Sequence, residues 1–325
     1  MPLNERTKNT LSFLLRIGLS VGLLIYVFSK VKLEEAYEAV KNADPGYLFL
    51  AGGAFVICMV IICVRWLIFV RALDLSATTK NVVLHFFYGM FGNLFLPTAI
   101  GGDLLKAVGL CRNSTQKPRV IASILLDRLS GFASIAIVAI IAYIFGYKYI
   151  KSSVILVMIV LMGAGVLIIA VILLNKAAYS FFCRIFNGLP NFRNSLMTMH
   201  DDIALLKQSR KYIEGGKAII LSCLSQVVFA SSYFFAAKAL HKDISIVYFL
   251  IFVPIICVTS SFPSIGGFGV REFSAKKLFE TIGIEPGISV SVAAINSLFI
   301  AVFGLMGGAL YVYTLFARRL QHPAS

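Results

Sequence analysis

LFLPTAIGGDLLKA, residues 94–107, interrupts apolar sequence with a proline, a glycine pair, an acid and a lysine. Pro97 removes a backbone donor and clashes with the turn before it. Gly101 and Gly102 each cost about 1 kcal/mol relative to alanine inside a helix. A helix entering this stretch therefore breaks, and the reading of the whole chain turns on what the break is for.

The surroundings fix the class. Of 325 residues, 59% are hydrophobic and only 14% charged, with a mean hydropathy of +0.88, beyond what a water-soluble globule needs. The chain reads as an all-α integral membrane protein, a polytopic helical bundle forming a single membrane domain, 1–325. Apolar runs long enough to span occur at Leu11–Phe28, Tyr47–Val70, Val120–Phe145, Val154–Leu174, Ala218–Ala237 and Ile288–Phe316. Two shorter runs, Val82–Pro97 and Ile246–Pro263, each end in a proline followed by glycines. The first run is too long for a signal-peptide core, so no cleaved leader is expected. Six cysteines without C-x-x-C spacing suggest neither a metal site nor a disulfide framework.

The net charge of +15 is a topology signal before it is anything else. With the N-terminus inside, Arg71, Lys80, Arg112, Lys117, Arg119, Lys176, Arg184, Lys211, Lys217, Arg318 and Arg319 gather on the cytoplasmic side. Fewer cations fall outside, where Glu34, Glu35, Glu38 and Glu285 dilute them. Both termini are expected in the cytoplasm and the protein in the cell membrane, with anionic lipid rather than nucleic acid as its partner. This orientation requires each short run to enter, break and return to its own side. Such backbone survives at membrane depth only inside protein or beside a wet cavity.

The two breaks repeat each other. Pro97 leads to Gly101-Gly102, then Asp103 and Lys106; Pro263 leads to Gly266-Gly267, then Gly269, Arg271 and Glu272. Lys106 and Arg271 each lie four residues past a second glycine. A long span precedes and follows each break, defining a first repeat at 46–146 with its break at 97–102 and a second at 217–316 with its break at 263–269. Residues 176–216 form a cytoplasmic amphipathic connection. The first break dips in from the cytoplasm and the second from outside, making two re-entrant broken helices related by an inverted repeat.

Interrupted segments at matching places in inverted halves point to a transporter's binding site. A half-helix starting at a glycine turn aims N–H groups and the positive end of its dipole into the cavity, which suits phosphate. Lys106, Arg271 and Arg128 add full charges, and an ionisable group at that depth is functional by default. Bland readings stand beside these. Asp103 and Glu272 fit the first turns of half-helices, where acids are common, or pair with the cations. Asp127-Arg128 serves as a structural ion pair or contacts a head group. Arg16 and Arg65 are expected to snorkel to the cytoplasmic interface. Asn93, Gln226 and Asn296 are assigned to hydrogen bonds between helices, and His85, His200, His241 and His322 to no role. Leu33, Tyr37 and Val40, and Leu196, Met199, Ile203 and Leu206, recur at helical spacing and read as interfacial helices.

The P-x-x-x-G-G-D break, the acid-arginine pair Asp127-Arg128 and the run from Pro263 through Gly266, Gly267, Gly269 and Arg271 to Glu272 resemble the lysylphosphatidylglycerol synthase transmembrane family, also called flippase-like. The resemblance covers nearly the whole chain. Lys106 stands where the family is expected to carry arginine, and Asp127 where glutamate is commoner; lysine loses the bidentate fork. The resemblance implies a protein that moves lipids between leaflets. With the sequence ending at Ser325, the expectation is a translocating part without a synthase domain, no cofactor, no chemistry of its own and a separately encoded lipid-modifying enzyme as a possible partner. The guest is an anionic phospholipid, an aminoacylated lipid or a polyprenyl phosphate carrier. A membrane-embedded enzyme and a non-transporting accessory subunit are the alternatives; the sequence offers the first no paired histidines, no nucleophile beside a base and no carboxylate cluster.

Overall fold

The computed structural model describes residues 41, 43–95, 101–111, 116–147, 153–184, 193–194, 197–198, 200–204, 211–261 and 267–321. All the regular structure among them is helical. Five helices are long and apolar enough to cross a membrane: α1 (Pro45–Ala72), α4 (Lys117–Gly146), α5 (Ser153–Leu174), α7 (Tyr212–Ala239) and α10 (Pro286–Gln321). The 28 residues of α1 rise about 42 Å, more than the roughly 30 Å apolar thickness of a bilayer. Its start is fixed locally: Pro45 sits in the first turn, and the Asp44 carboxylate accepts from the N–H groups of Gly46 and Tyr47 at 2.8 and 3.1 Å. The expected span Leu11–Phe28 and the stretch around Leu33, Tyr37 and Val40 lie outside the described residues.

The short runs form two helical hairpins. In the first, α2 (Thr79–Phe95) and α3 (Gly101–Cys111) lie antiparallel, with Gly89 against Gly102 and Lys106, Gly92 against Leu105 and His85 against Gly109. A Cβ on Gly102 would overlap the Gly89 carbonyl, so the glycine lets two backbones touch at the hairpin tip. In the second, α8 (Ile246–Thr259) and α9 (Val270–Glu280) are held by the Phe249 and Phe252 rings, centred 5.1 and 5.0 Å from that of Phe279. An 11-residue arm such as α3 or α9 rises about 16 Å, half of an apolar bilayer core.

The hairpins enter from opposite ends of the bundle. The open end of the first lies where α1 finishes and α7 begins: the Arg71 guanidinium donates to the Thr79 hydroxyl, and Lys211 pairs with Asp74. The open end of the second lies where α1 begins and α7 finishes: the Asp44 N–H donates to the Ala239 carbonyl at 2.8 Å, and Gly146 abuts Val247. Between these ends α1 and α7 run antiparallel, pinned by the Ser232 hydroxyl on the Ala51 carbonyl and the Cys58 thiol on the Ser225 carbonyl. Each hairpin packs on the last helix of the other half. Phe91 and Tyr88 of α2 meet Tyr311 of α10, where Gly307 lies against the Phe87 backbone; Val247 and Ile251 of α8 meet Gly146 of α4.

The periphery suits lipid. Leu156, Val157, Val160, Leu161, Leu167 and Ile168 of α5 are exposed, as are Phe49, Ile57 and Val60 of α1. At Ile203 the connection departs from the expected interfacial helix. After α6 (Lys176–Cys183), capped by Asn175, the described piece 200–204 turns inward: Ile203 is buried in one cluster with Trp66, Tyr179 and Cys183, and Arg119 holds Asp202 at 2.8 Å. That ion pair fixes the segment to α4, so Ile203 faces the bundle instead of lipid. Leu196, Met199 and Leu206 lie outside the described residues.

Candidate functional site

Between the hairpins is a cavity of about 330 Å³ lined from both halves of the chain. Four cationic side chains (Arg65, Lys106, Arg128 and Arg271) and one carboxylate (Asp127) line it, with Asn93, Ser225, Gln226, Ser260 and Ser261. Phe55, Phe86, Phe132 and Phe229 complete the wall. Asp103, just outside the lining, pairs with Arg128 and Lys106 and offsets part of this charge; the excess that remains in so apolar a shell favours an arriving counter-charge.

The first half supplies a connected network. Arg65 of α1 donates from Nε to Asp127 Oδ1 of α4 at 2.7 Å and from Nη1 to the Ser222 hydroxyl of α7 at 3.1 Å, both ion-pair partners being buried. Gly131, one turn past Asp127, leaves room for the guanidinium. Arg65 therefore does not snorkel: it lies two turns inside the end of α1, and carboxylate and hydroxyl partners inside the bundle satisfy it there. Arg16 falls outside the described residues. Lys106 reaches down from α3 with Nζ 3.8 Å from Asp103 and 3.9 Å from Asp127, over the faces of Trp66 and Phe86 at 4.9 and 5.2 Å. Arg128 donates from Nε to Asp103 Oδ2 at 2.6 Å, with a third of its side chain exposed. Asp127 and Arg128, adjacent in sequence, thus each bind elsewhere, because neighbouring helical residues point to different sides.

The hairpin tips differ from open helix ends. The N–H of Gly102 donates to Asn93 Oδ1 at 2.9 Å, so α2 caps α3 from across the hairpin. In the second tip Glu272 Oε2 accepts from the Gly269 N–H at 2.7 Å, the reach-back half of a capping box, which glycine has no side chain to reciprocate. Its other oxygen accepts from the Ser297 hydroxyl of α10 at 2.6 Å, and Ser297 in turn accepts from Arg271 Nη1 at 3.1 Å. Gly267, at φ +76°, adopts backbone that disfavours a side chain, and its bare Cα leaves Arg271 Nη2 room to lie across the turn. Among the described residues no carboxylate stands within ion-pair distance of Arg271.

Of the residues singled out in the sequence, Gly101, Gly102, Asp103, Lys106, Asp127 and Arg128 gather at the first tip, and Gly267 and Arg271 face them across the cavity. Gly101, Gly102, Asp103, Gly269 and Glu272 do not line it: the first three stand behind Lys106 and Arg128 at the first tip, and the last two build the turn that holds Arg271. Pro97, Pro263 and Gly266 lie outside the described residues. Asn296 bridges helices as expected, accepting from Ser232 at 2.8 Å. Gln226 lines the cavity, and its buried Oε1 makes no hydrogen bond to the described residues. Arg65 is the residue sequence reasoning missed. Its signal was depth: two full turns inside the helix end is further than an interfacial arginine needs to be.

No solved structure matches this chain. It is 22% identical over 315 residues to a UPF0104 membrane protein of Pyrococcus horikoshii, covering 87% of this chain and 91% of that one. A UPF0104 membrane protein of Methanocaldococcus jannaschii is 21% identical over 310 residues, 90% of each chain. The family model for the lysylphosphatidylglycerol synthase TM region matches residues 13–308, nearly the full length. The chain belongs to the lysylphosphatidylglycerol synthase TM region family.

Proposed function

We propose that the protein is a lipid translocase of the cell membrane, with both termini cytoplasmic. The two halves, 46–146 and 217–316, hold a phosphate-bearing head group between their hairpin tips and pass it between leaflets. Gly101, Gly102, Asp103, Lys106, Asp127, Arg128, Gly266, Gly267, Gly269, Arg271 and Glu272 build that site, joined by Arg65. No chemistry is performed on the lipid; any modification falls to a separately encoded enzyme. One observation carries the reading: a cavity reached by tips from opposite ends of the bundle is lined by four cations and a single carboxylate. An anion entering it replaces lost hydration with guanidinium donors matched to phosphate oxygens. Phenylalanines in the same wall offer an apolar surface to the acyl region.

The test is reconstitution into vesicles with acyl-labelled phosphatidylglycerol, scoring movement by quenching of the outer leaflet. Arg128→Ala and Arg271→Ala should each slow movement at least tenfold while circular dichroism keeps the wild-type helical signal. Wild-type rates in both folded variants would refute the proposal.

A further inference from the structure

We infer that Ser225, Gln226, Ser260 and Ser261 form a second subsite of the cavity, one that accepts hydrogen bonds from the O–H or N–H groups of the head group while the cations hold its phosphate. The inference rests on the translocase reading and deepens it. The lining is divided between the halves: Arg65, Lys106, Arg128 and Asp127 come from the first, whereas the second supplies Arg271 and these four uncharged side chains. A hydroxyl has one hydrogen to give and two lone pairs to receive with. Each serine spends its hydrogen on a carbonyl one turn earlier: Ser225 donates to Ser222 at 2.7 Å, Ser260 to Ile256 at 2.6 Å and Ser261 to Cys257 at 2.9 Å. Toward a guest they therefore offer lone pairs alone. Gln226 adds an amide whose Oε1 has no partner among the described residues, so a donor arriving there displaces no existing bond.

The local field has the same sense. α8 ends at Thr259, so the negative end of its dipole lies beside Ser260 and Ser261. The two kinds of group are also within reach of one head group. A Cβ on Gly267 would lie 3.0 Å from Arg271 Nη2 and 3.3 Å from Ser260 Cβ, so guanidinium and serine flank a single bare Cα. Lone pairs repel phosphate oxygens and attract polarised hydrogens, so the phosphate is sorted toward the guanidiniums and the rest of the head group toward α7 and α8. A few placed polar groups of this kind fix a ligand's orientation, and a site built to receive a donor rejects the analogue that lacks it.

The experiment places the full-length protein in vesicles with two pairs of lipids, each pair matched in charge and acyl label. Phosphatidylglycerol is set against its di-O-methyl ether, which keeps the phosphate and loses the O–H donors; phosphatidylethanolamine is set against phosphatidylcholine, which loses the N–H donors. The donor-bearing member should move at least tenfold faster in one pair or both, a difference of about 1.4 kcal/mol in barrier, and the pair that shows it tells hydroxyl from ammonium. Gln226→Leu, and separately Ser260→Ala combined with Ser261→Ala, should each narrow that ratio at least threefold by slowing the donor-bearing lipid. A ratio below tenfold in both pairs, or one left intact by either variant while circular dichroism keeps the wild-type signal, overturns the inference and leaves the translocase reading standing. Failure of all four lipids to move faster than in empty vesicles overturns both.

Discussion

Removing Arg65 tests whether the charge network is one coupled unit. The substitution Arg65→Met deletes the 2.7 Å contact to Asp127 and the 3.1 Å contact to Ser222, and leaves Asp127 buried with Lys106 alone at 3.9 Å. Breaking a buried pair from one side costs about 3–5 kcal/mol in soluble proteins. Hydrogen bonds within membranes average only about 0.6 kcal/mol, with a maximum of about 1.7. Two bonds from a guanidinium, one of them to a carboxylate, put the expected loss at about 3 kcal/mol. Asp127→Leu should cost a similar amount. The double variant leaves neither charge stranded, and Lys106 retains Asp103 at 3.8 Å. Its loss should fall about 2 kcal/mol short of the sum of the singles, within the range for residues in contact. The chain's single tryptophan reports the measurement, because Trp66 is fully buried beside Arg65 in sequence and Lys106 in space. Unfolding in mixed micelles at rising denaturing-detergent fraction, followed by Trp66 fluorescence, gives the four free energies of the cycle. Losses that add within about 0.5 kcal/mol would refute the coupling.

Two further outcomes separate structure from transport. Gly102→Ala places a Cβ against the Gly89 carbonyl and Asn93 Oδ1 and should cost at least about 2 kcal/mol by overpacking, whereas Gly165→Ala on the outer face of α5, with nothing within 4 Å, should stay within about 1 kcal/mol of wild type. Equal effects in the same unfolding assay would contradict the close approach at the first tip. Glu272→Ala should lose about 1 kcal/mol with the α9 cap, while Glu272→Gln keeps one accepting oxygen for the Gly269 N–H, turns its NH2 toward a Ser297 hydroxyl that must then accept, and should retain most of the stability and lipid movement. A stable Glu272→Gln protein that no longer moves lipid would instead assign the acid a role that needs its charge.

The fold was legible where sequence period and length speak directly. A run of twenty apolar residues has one stable arrangement in lipid, so the described long helices fall within a few residues of the runs read from sequence. The hairpins were legible because proline and paired glycines leave few other options, and matching signals in the two halves implied their opposed entry. The site was legible in membership but not in pairing. Asp127 and Arg128 are neighbours along the chain, and only the packing of α1 and α3 against α4 decides that one meets Arg65 and the other Asp103. Arg65 escaped for the same reason: its partners lie 62 and 157 residues away, and no local pattern encodes them. Glu272 in the first turn of its half-helix and Asn93 in a bond between helices were legible, whereas the particular donor that Asn93 meets, the Gly102 N–H, depends on the register of the two hairpin arms.

The crossed packing of the hairpins bears on how the molecule is assembled. The first hairpin, complete at Cys111, leaves the ribosome two hundred residues before Tyr311, the ring against which Tyr88 and Phe91 settle. Until the closing helix is inserted, that broken arm has no wall on one flank. Biogenesis therefore proceeds with an unfinished polar tip inside the translocation machinery or the young bilayer, and the last helix acts as the latch that completes both halves at once.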